Sequence, residues 1–154
     1  MISPPESPPM ESPTLDSPVD EMSARKRREL LATAPNPGER HDYMVVLEGS
    51  FTLEGSDQRV NAALRYVADR RVLPLDAFGA YLESLNGGAW PSLEAVALVM
   101  LGDVNNELIP RWVQIRLVAG TGDLGDLGKR HSVIIEDRQP GWDDPTLLAR
   151  HGAS

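Results

Sequence analysis

The chain contains no cysteine, and that absence excludes a disulfide framework, a thiolate metal site and a thiol nucleophile. Histidine is nearly as scarce. His41, His131 and His151 stand neither with one another nor with a carboxylate at zinc-ligand spacing, so no metal site is expected and all three are read as surface residues. Basic charge is also short: fifteen Lys and Arg face twenty-three Asp and Glu, for a formal net charge of −8. Such a balance argues against nucleic acid or an anionic membrane as partner. No run approaches the ~20 apolar residues of a membrane span. The segment Met1–Met10 lacks both the basic start and the apolar stretch of a secretory signal. The expectation is a cytoplasmic protein.

What is present divides the 154 residues into one domain with extensions. Residues 1–22 hold six Pro, four Ser and five acidic residues with no Lys or Arg. That composition cannot bury enough apolar surface to offset its ordering entropy, so a disordered tail is expected. Arg25-Lys26-Arg27-Arg28 follows as a solvated hinge or a short helix. A helix capped by Ser23 would set these four cations against the dipole at its N-terminus. The tail with its basic element spans residues 1–35, the folded domain 36–142, and a second tail 143–154.

Inside the domain the hydrophobic period changes twice. Tyr43, Val45 and Leu47 alternate with Met44, Val46 and Glu48 in a strand that reaches towards Leu53. Val60, Ala62, Leu64 and Tyr66 mark a second strand, joined to the first by the hairpin residues Gly55-Ser56-Asp57. Leu75, Phe78, Leu82 and Leu85 then take helical spacing, with Gly87-Gly88 as the stop. Pro91-Ser92 opens a second helix carrying Leu93, Val96, Ala97, Met100, Val104 and Leu108 on one face, closed by Pro110. Val113, Ile115 and Leu117, then Val133 and Ile135, give two further strands. The order β-β-α-α-β-β predicts an α+β fold with both helices on one face of an antiparallel sheet.

Candidate chemistry is sparse. Gly120-Thr121-Gly122-Asp123-Leu124-Gly125 has the spacing of a dinucleotide loop, but a strand rather than a helix follows it, so it is read as a long connection between antiparallel strands. Asp143-Asp144 and the pair Asp123 and Asp126 are read as solvated loop acids. Glu94 lies in the first turn of the second helix, where an acid complements the dipole. Its carboxylate, which only accepts hydrogen bonds, also suits the N–H edge of an amidine-like ring. Asp57, Glu94 and His41 are the local candidates for a general acid or base.

Four segments taken together carry a family resemblance. They are Asn36-Pro37 with Asp42-Tyr43; Arg65-Tyr66-Val67-Ala68-Asp69-Arg70-Arg71; Tyr81-Leu82-Glu83-Ser84-Leu85-Asn86; and Arg138-Gln139-Pro140-Gly141-Trp142. In this order and spacing the chain resembles the short form of NADPH-dependent 7-cyano-7-deazaguanine reductase, the nitrile reductase of the queuosine pathway. The resemblance implies the tunnelling fold, or T-fold, with the same β-β-α-α-β-β order. It also implies a covalent reaction in which a Cys adds to the nitrile, an Asp acts as acid and NADPH supplies two hydrides.

The residues that perform this reaction in the family are missing here. No Cys exists, and Asp57 stands one residue out of register with the family's Asp. The substrate-binding Glu corresponds to Pro74, and two Lys assigned to the cofactor phosphates correspond to Asp76 and Gly79. The His of a His-Glu pair is replaced within Pro91-Ser92-Leu93, while Glu94 keeps the carboxylate. The expectation is a divergent relative without nitrile reductase activity. No cofactor is expected, NADPH being implied only if the family's activity were retained. Such a chain would bind a purine, deazapurine or pterin-like heterocycle, or act as a non-catalytic subunit. The alternatives are a T-fold enzyme of different, non-thiol chemistry on a deazapurine or pterin, or a 7-cyano-7-deazaguanine reductase by family membership only. The resemblance further implies a homo-oligomer or association with another T-fold chain.

Overall fold

The computed structural model describes residues 18–53, 58–86, 88–120 and 129–153. Its centre is an antiparallel sheet of four strands in the order β2-β3-β5-β6: β2 Met44–Thr52, β3 Arg59–Val67, β5 Trp112–Ala119 and β6 His131–Arg138. The register runs unbroken, with Leu47 opposite Leu64, Leu64 opposite Ile115, and Ile115 opposite Ile135. A period of two therefore sends one set of side chains to each face. Val60, Ala62, Leu64, Tyr66, Val113, Ile115 and Leu117 form the buried face.

Two helices, α2 Leu75–Leu85 and α3 Leu93–Leu108, cover that face. Phe78, Tyr81, Leu82 and Leu85 of α2 and Val96, Ala97, Met100 and Val104 of α3 complete a single core with it. Helix α2 lies over β2, and α3 over β5 and β6. A Cβ on Gly49 would stand 2.5 Å from Leu82 Cδ1, so the bare Cα of this strand residue gives Leu82 its seat. Ser92 caps α3 as expected, its Oγ accepting from the Ala95 N–H at 3.0 Å. Helix α3 ends before Pro110, because the residue preceding a proline is pushed out of the helical region. Ile109 turns left-handed there (φ 49°, ψ 57°). The hairpin residues 55–57 and most of the glycine-rich segment lie outside the described residues, but the antiparallel pairings on either side agree with both readings. The element described next after Gly120 is strand β6, not a helix.

The extensions differ from expectation. A helix, α1, runs Pro18–Glu29, so residues 18–22 are not part of an unstructured tail. Because it starts five residues before Ser23, Lys26, Arg27 and Arg28 fall in its last turn, where cations complement the dipole instead of opposing it. Nor is the basic run a solvated hinge: α1 packs on α2 and α3, with Arg27 paired to Asp103, and Leu31 just beyond it is buried in the core. A two-residue pairing of β1 Ala34–Pro35 with β4 Arg71–Val72 follows. The C-terminal segment is no tail either. Asp144 caps a short helix, α4 Pro145–Arg150, accepting from the Leu147 N–H at 3.0 Å. Leu148 and Ala153 bury Val67 and Trp112 on the sheet face opposite α2 and α3. Among the described residues no helix is long and apolar enough to cross a membrane.

Candidate functional site

Three of the four segments that carry the family resemblance, those of Asn36, Asp69 and Gln139, meet at one end of the sheet and bond to one another. Asn36 is buried. Its Nδ2 donates to the Asp69 carbonyl at 2.7 Å, and its Oδ1 accepts from the Gly38 N–H and the Tyr43 hydroxyl. Asp69 Oδ2 accepts from Gln139 Nε2 at 3.0 Å, and Oδ1 from Arg111 at 3.4 Å. Arg111 also donates to Asp42 Oδ1 at 2.8 Å and to the carbonyls of Glu39 and His41. Arg71 holds Thr33 through its side chain, and the Tyr66 hydroxyl accepts from the Leu73 N–H at 2.8 Å inside the core. The fourth segment lies at the other end of the sheet, where Asn86 Oδ1 accepts from the Thr52 N–H and ties the end of α2 to β2. The other three form a clasp between chain segments far apart in sequence. Their polar atoms are spent on the fold.

Glu94, expected to contact a ligand, and Pro74, Asp76 and Gly79, read as positions where such contacts are lost, lie elsewhere and are not brought together in one chain. Pro74, Asp76 and Gly79 are on the exposed start of α2, beside the β2 edge. Asp76 and Gly79 line an open groove of about 500 Å³ with Glu48, Leu75 and Glu83. Three carboxylates on its rim, those of Glu48, Asp76 and Glu83, repel phosphate. Glu94 is on α3 at the opposite, β6 edge. There Glu94 Oε1 lies 2.8 Å from His131 Nε2, with both side chains more than half exposed. His131 is thus at the surface as expected, but it stands beside Glu94, the residue expected to bind a ligand.

Asp57, Ser56, Asp123 and Asp126 lie outside the described residues. His41 and His151 are exposed, and their recorded bonds use backbone carbonyls. Asp143 pairs with Arg138, and Asp144 is a helix cap. No cluster of metal-ligating side chains occurs among the described residues.

Sequence reasoning missed a buried polar triad. Asp103 Oδ2 accepts from Arg27 Nε and from the Tyr81 hydroxyl, each at 2.6 Å, and the Arg27 guanidinium lies 5.8 Å from the Trp90 ring centroid. Burial pushes the Tyr81 hydroxyl far above its ordinary range, and the neighbouring Asp103 charge pushes it further. Burial alone would lower the Arg27 pKa, but Asp103 outweighs it and the guanidinium is held charged. The signal was available: Asp103 falls three residues after Met100 and seven after Val96, on the apolar stripe of α3. An acid in that position requires a partner.

The fold and site thus define an α+β protein of β-β-α-α-β-β order whose buried polar residues Asn36 and Asp103 hold the domain together. No protein-family model matches the chain, and no curated protein matches it. Among solved structures it is similar to the crystal structure of the archaeosine synthase QueF-Like in the apo form. That similarity has a TM-score of 0.49 and 18% identity, and covers 62% of this chain and 91% of that one.

Proposed function

We propose that this chain is a T-fold relative of the deazaguanine nitrile reductases that binds a deazapurine- or pterin-like heterocycle without reducing a nitrile. The observation that carries the reading is the fate of the two residue sets. The clasp of Asn36, Tyr43, Asp69 and Gln139 is intact, while the thiol is absent and the groove at Asp76 and Gly79 has an acidic rim. Without a thiolate no thioimide forms, and the acidic rim disfavours the phosphates of NADPH. Glu94 remains able to receive two N–H groups from a ring edge, with His131 beside it.

The position of these residues at opposite edges supports a site completed between copies. The β6 edge of one chain, bearing Glu94 and His131, would meet the β2 edge of the next. Unpaired strand edges favour such partners. A second reading, a T-fold enzyme of non-thiol chemistry, is favoured by one observation: a carboxylate touching an imidazole is a usual acid–base arrangement.

Calorimetry with 7-cyano-7-deazaguanine and with a pterin tests the proposal. Saturable binding weakened at least about tenfold by Glu94→Ala is expected, the loss of one charge-assisted contact. No binding of either compound, or binding indifferent to Glu94→Ala, would overturn it.

A further inference from the structure

On the sheet face away from α2 and α3, helix α4 covers only the end near Trp112. The remainder holds a second concavity of about 390 Å³, lined by Glu48, Asn61, Ala63, Arg116, Val118 and Arg130. Its composition is unusual for an acidic chain, because two guanidinium groups converge on it. Glu48, Ala63 and Arg116 lie in one row across three strands, Glu48 opposite Ala63 and Ala63 opposite Arg116. A carboxylate and a guanidinium are therefore rooted about 10 Å apart, two inter-strand spacings, with a methyl group as the floor between them.

Arg130 closes the same space from the start of β6. Its Cγ lies 3.8 Å from where a Gly120 Cβ would stand, and Gly120 holds φ 120°, a conformation that glycine adopts readily. The side chains of Glu48, Arg116 and Arg130 make no ion pair or hydrogen bond among the described residues. Two neighbouring cations of this face are engaged: Arg65 bonds Gln114 and the His151 carbonyl, and Arg138 pairs with Glu136 and Asp143.

We infer that this concavity is a binding site for a small dipolar ligand, a phosphate or carboxylate at one end and an ammonium or other N–H-rich group at the other. Arg116 and Arg130 take the anion, and Glu48 takes the cationic end across Ala63. An inorganic anion alone meets the Glu48 charge and gains less. The site lies on the opposite face from Glu94 and does not depend on the heterocycle reading.

Titration of the ¹⁵N- and methyl-labelled full chain with O-phosphoethanolamine tests it, followed at Ala63 and Val118 by NMR. Inorganic phosphate and ethanolamine are run as separate arms. Saturable shifts centred on Ala63 are expected, about tenfold weaker in Arg116→Gln and in Glu48→Gln, as loss of a charge-assisted pair implies. They should be unchanged in Glu94→Ala. Arg116 and Glu48 are exposed, so both variants should keep the wild-type spectrum outside the site. Three results would overturn the inference: no saturable shift at millimolar ligand, shifts centred elsewhere, or phosphate alone acting as strongly as the dipolar probe.

Discussion

Tyr81, Asp103 and Arg27 join three helices through one carboxylate oxygen. Tyr81 is fully buried, and burial with the Asp103 charge raises its pKa. Burial raises that of Tyr66 in the same direction. In the unfolded chain both titrate near 10. The fold keeps the phenol protonated, so this stabilisation is fully present below about pH 10 and declines as pH rises above it, where only the unfolded chain loses the proton. Tyr81→Phe removes the larger part of that dependence. Urea midpoints between pH 8 and 11.5 should fall less steeply for Tyr81→Phe than for the wild type. Equal slopes would show that Tyr81 is not held as described.

At the scale of elements, the two central helices and four long strands were legible because each carries one unbroken hydrophobic period. Phe78, Leu82 and Leu85 admit only a helix, and Val113, Ile115 and Leu117 only a strand. The ends were not legible for physical reasons. The sequence Pro18–Glu29 has too few apolar residues to show a period, and its helix is held by the Arg27–Asp103 pair, a contact between residues seventy-six apart. Helix α4 has six residues and buries one leucine, too little to register as a pattern.

Leu148→Ala should therefore destabilise the protein by about 2–3 kcal/mol. Leu98→Ala, 60% exposed on α3, should stay within about 0.5 kcal/mol. Chemical denaturation of both variants checks the contrast, and equal losses would contradict the docking of α4. Ile109 offers a gain instead. A β-branched residue held left-handed is strained by about 1–2 kcal/mol, and its side chain is 61% exposed. Ile109→Gly should raise stability by about 1 kcal/mol, read as an upward shift in the thermal midpoint; a lowered midpoint would mean that the isoleucine side chain contributes more than its backbone costs.

For the whole molecule, the candidate site was less legible than the fold. Glu94 could be found from the helix start, but its partner His131 lies thirty-seven residues on, and only the pairing of β5 with β6 and the packing of α3 bring them together. Asn36, Asp69 and Gln139, which entered the sequence reading only as parts of the resemblance, are each consumed in holding the domain.

On the proposed reading, the difference from a nitrile reductase is one of reactive groups: no thiol occurs among 154 residues, and three carboxylates rim the groove at Asp76 and Gly79. The most direct test follows NADPH absorbance at high enzyme concentration with 7-cyano-7-deazaguanine present. The account predicts a rate indistinguishable from the no-enzyme control, in the wild type and in Glu94→Ala alike. Turnover of the nitrile to the amine, with two NADPH consumed per product and loss of activity in Glu94→Ala, would contradict it.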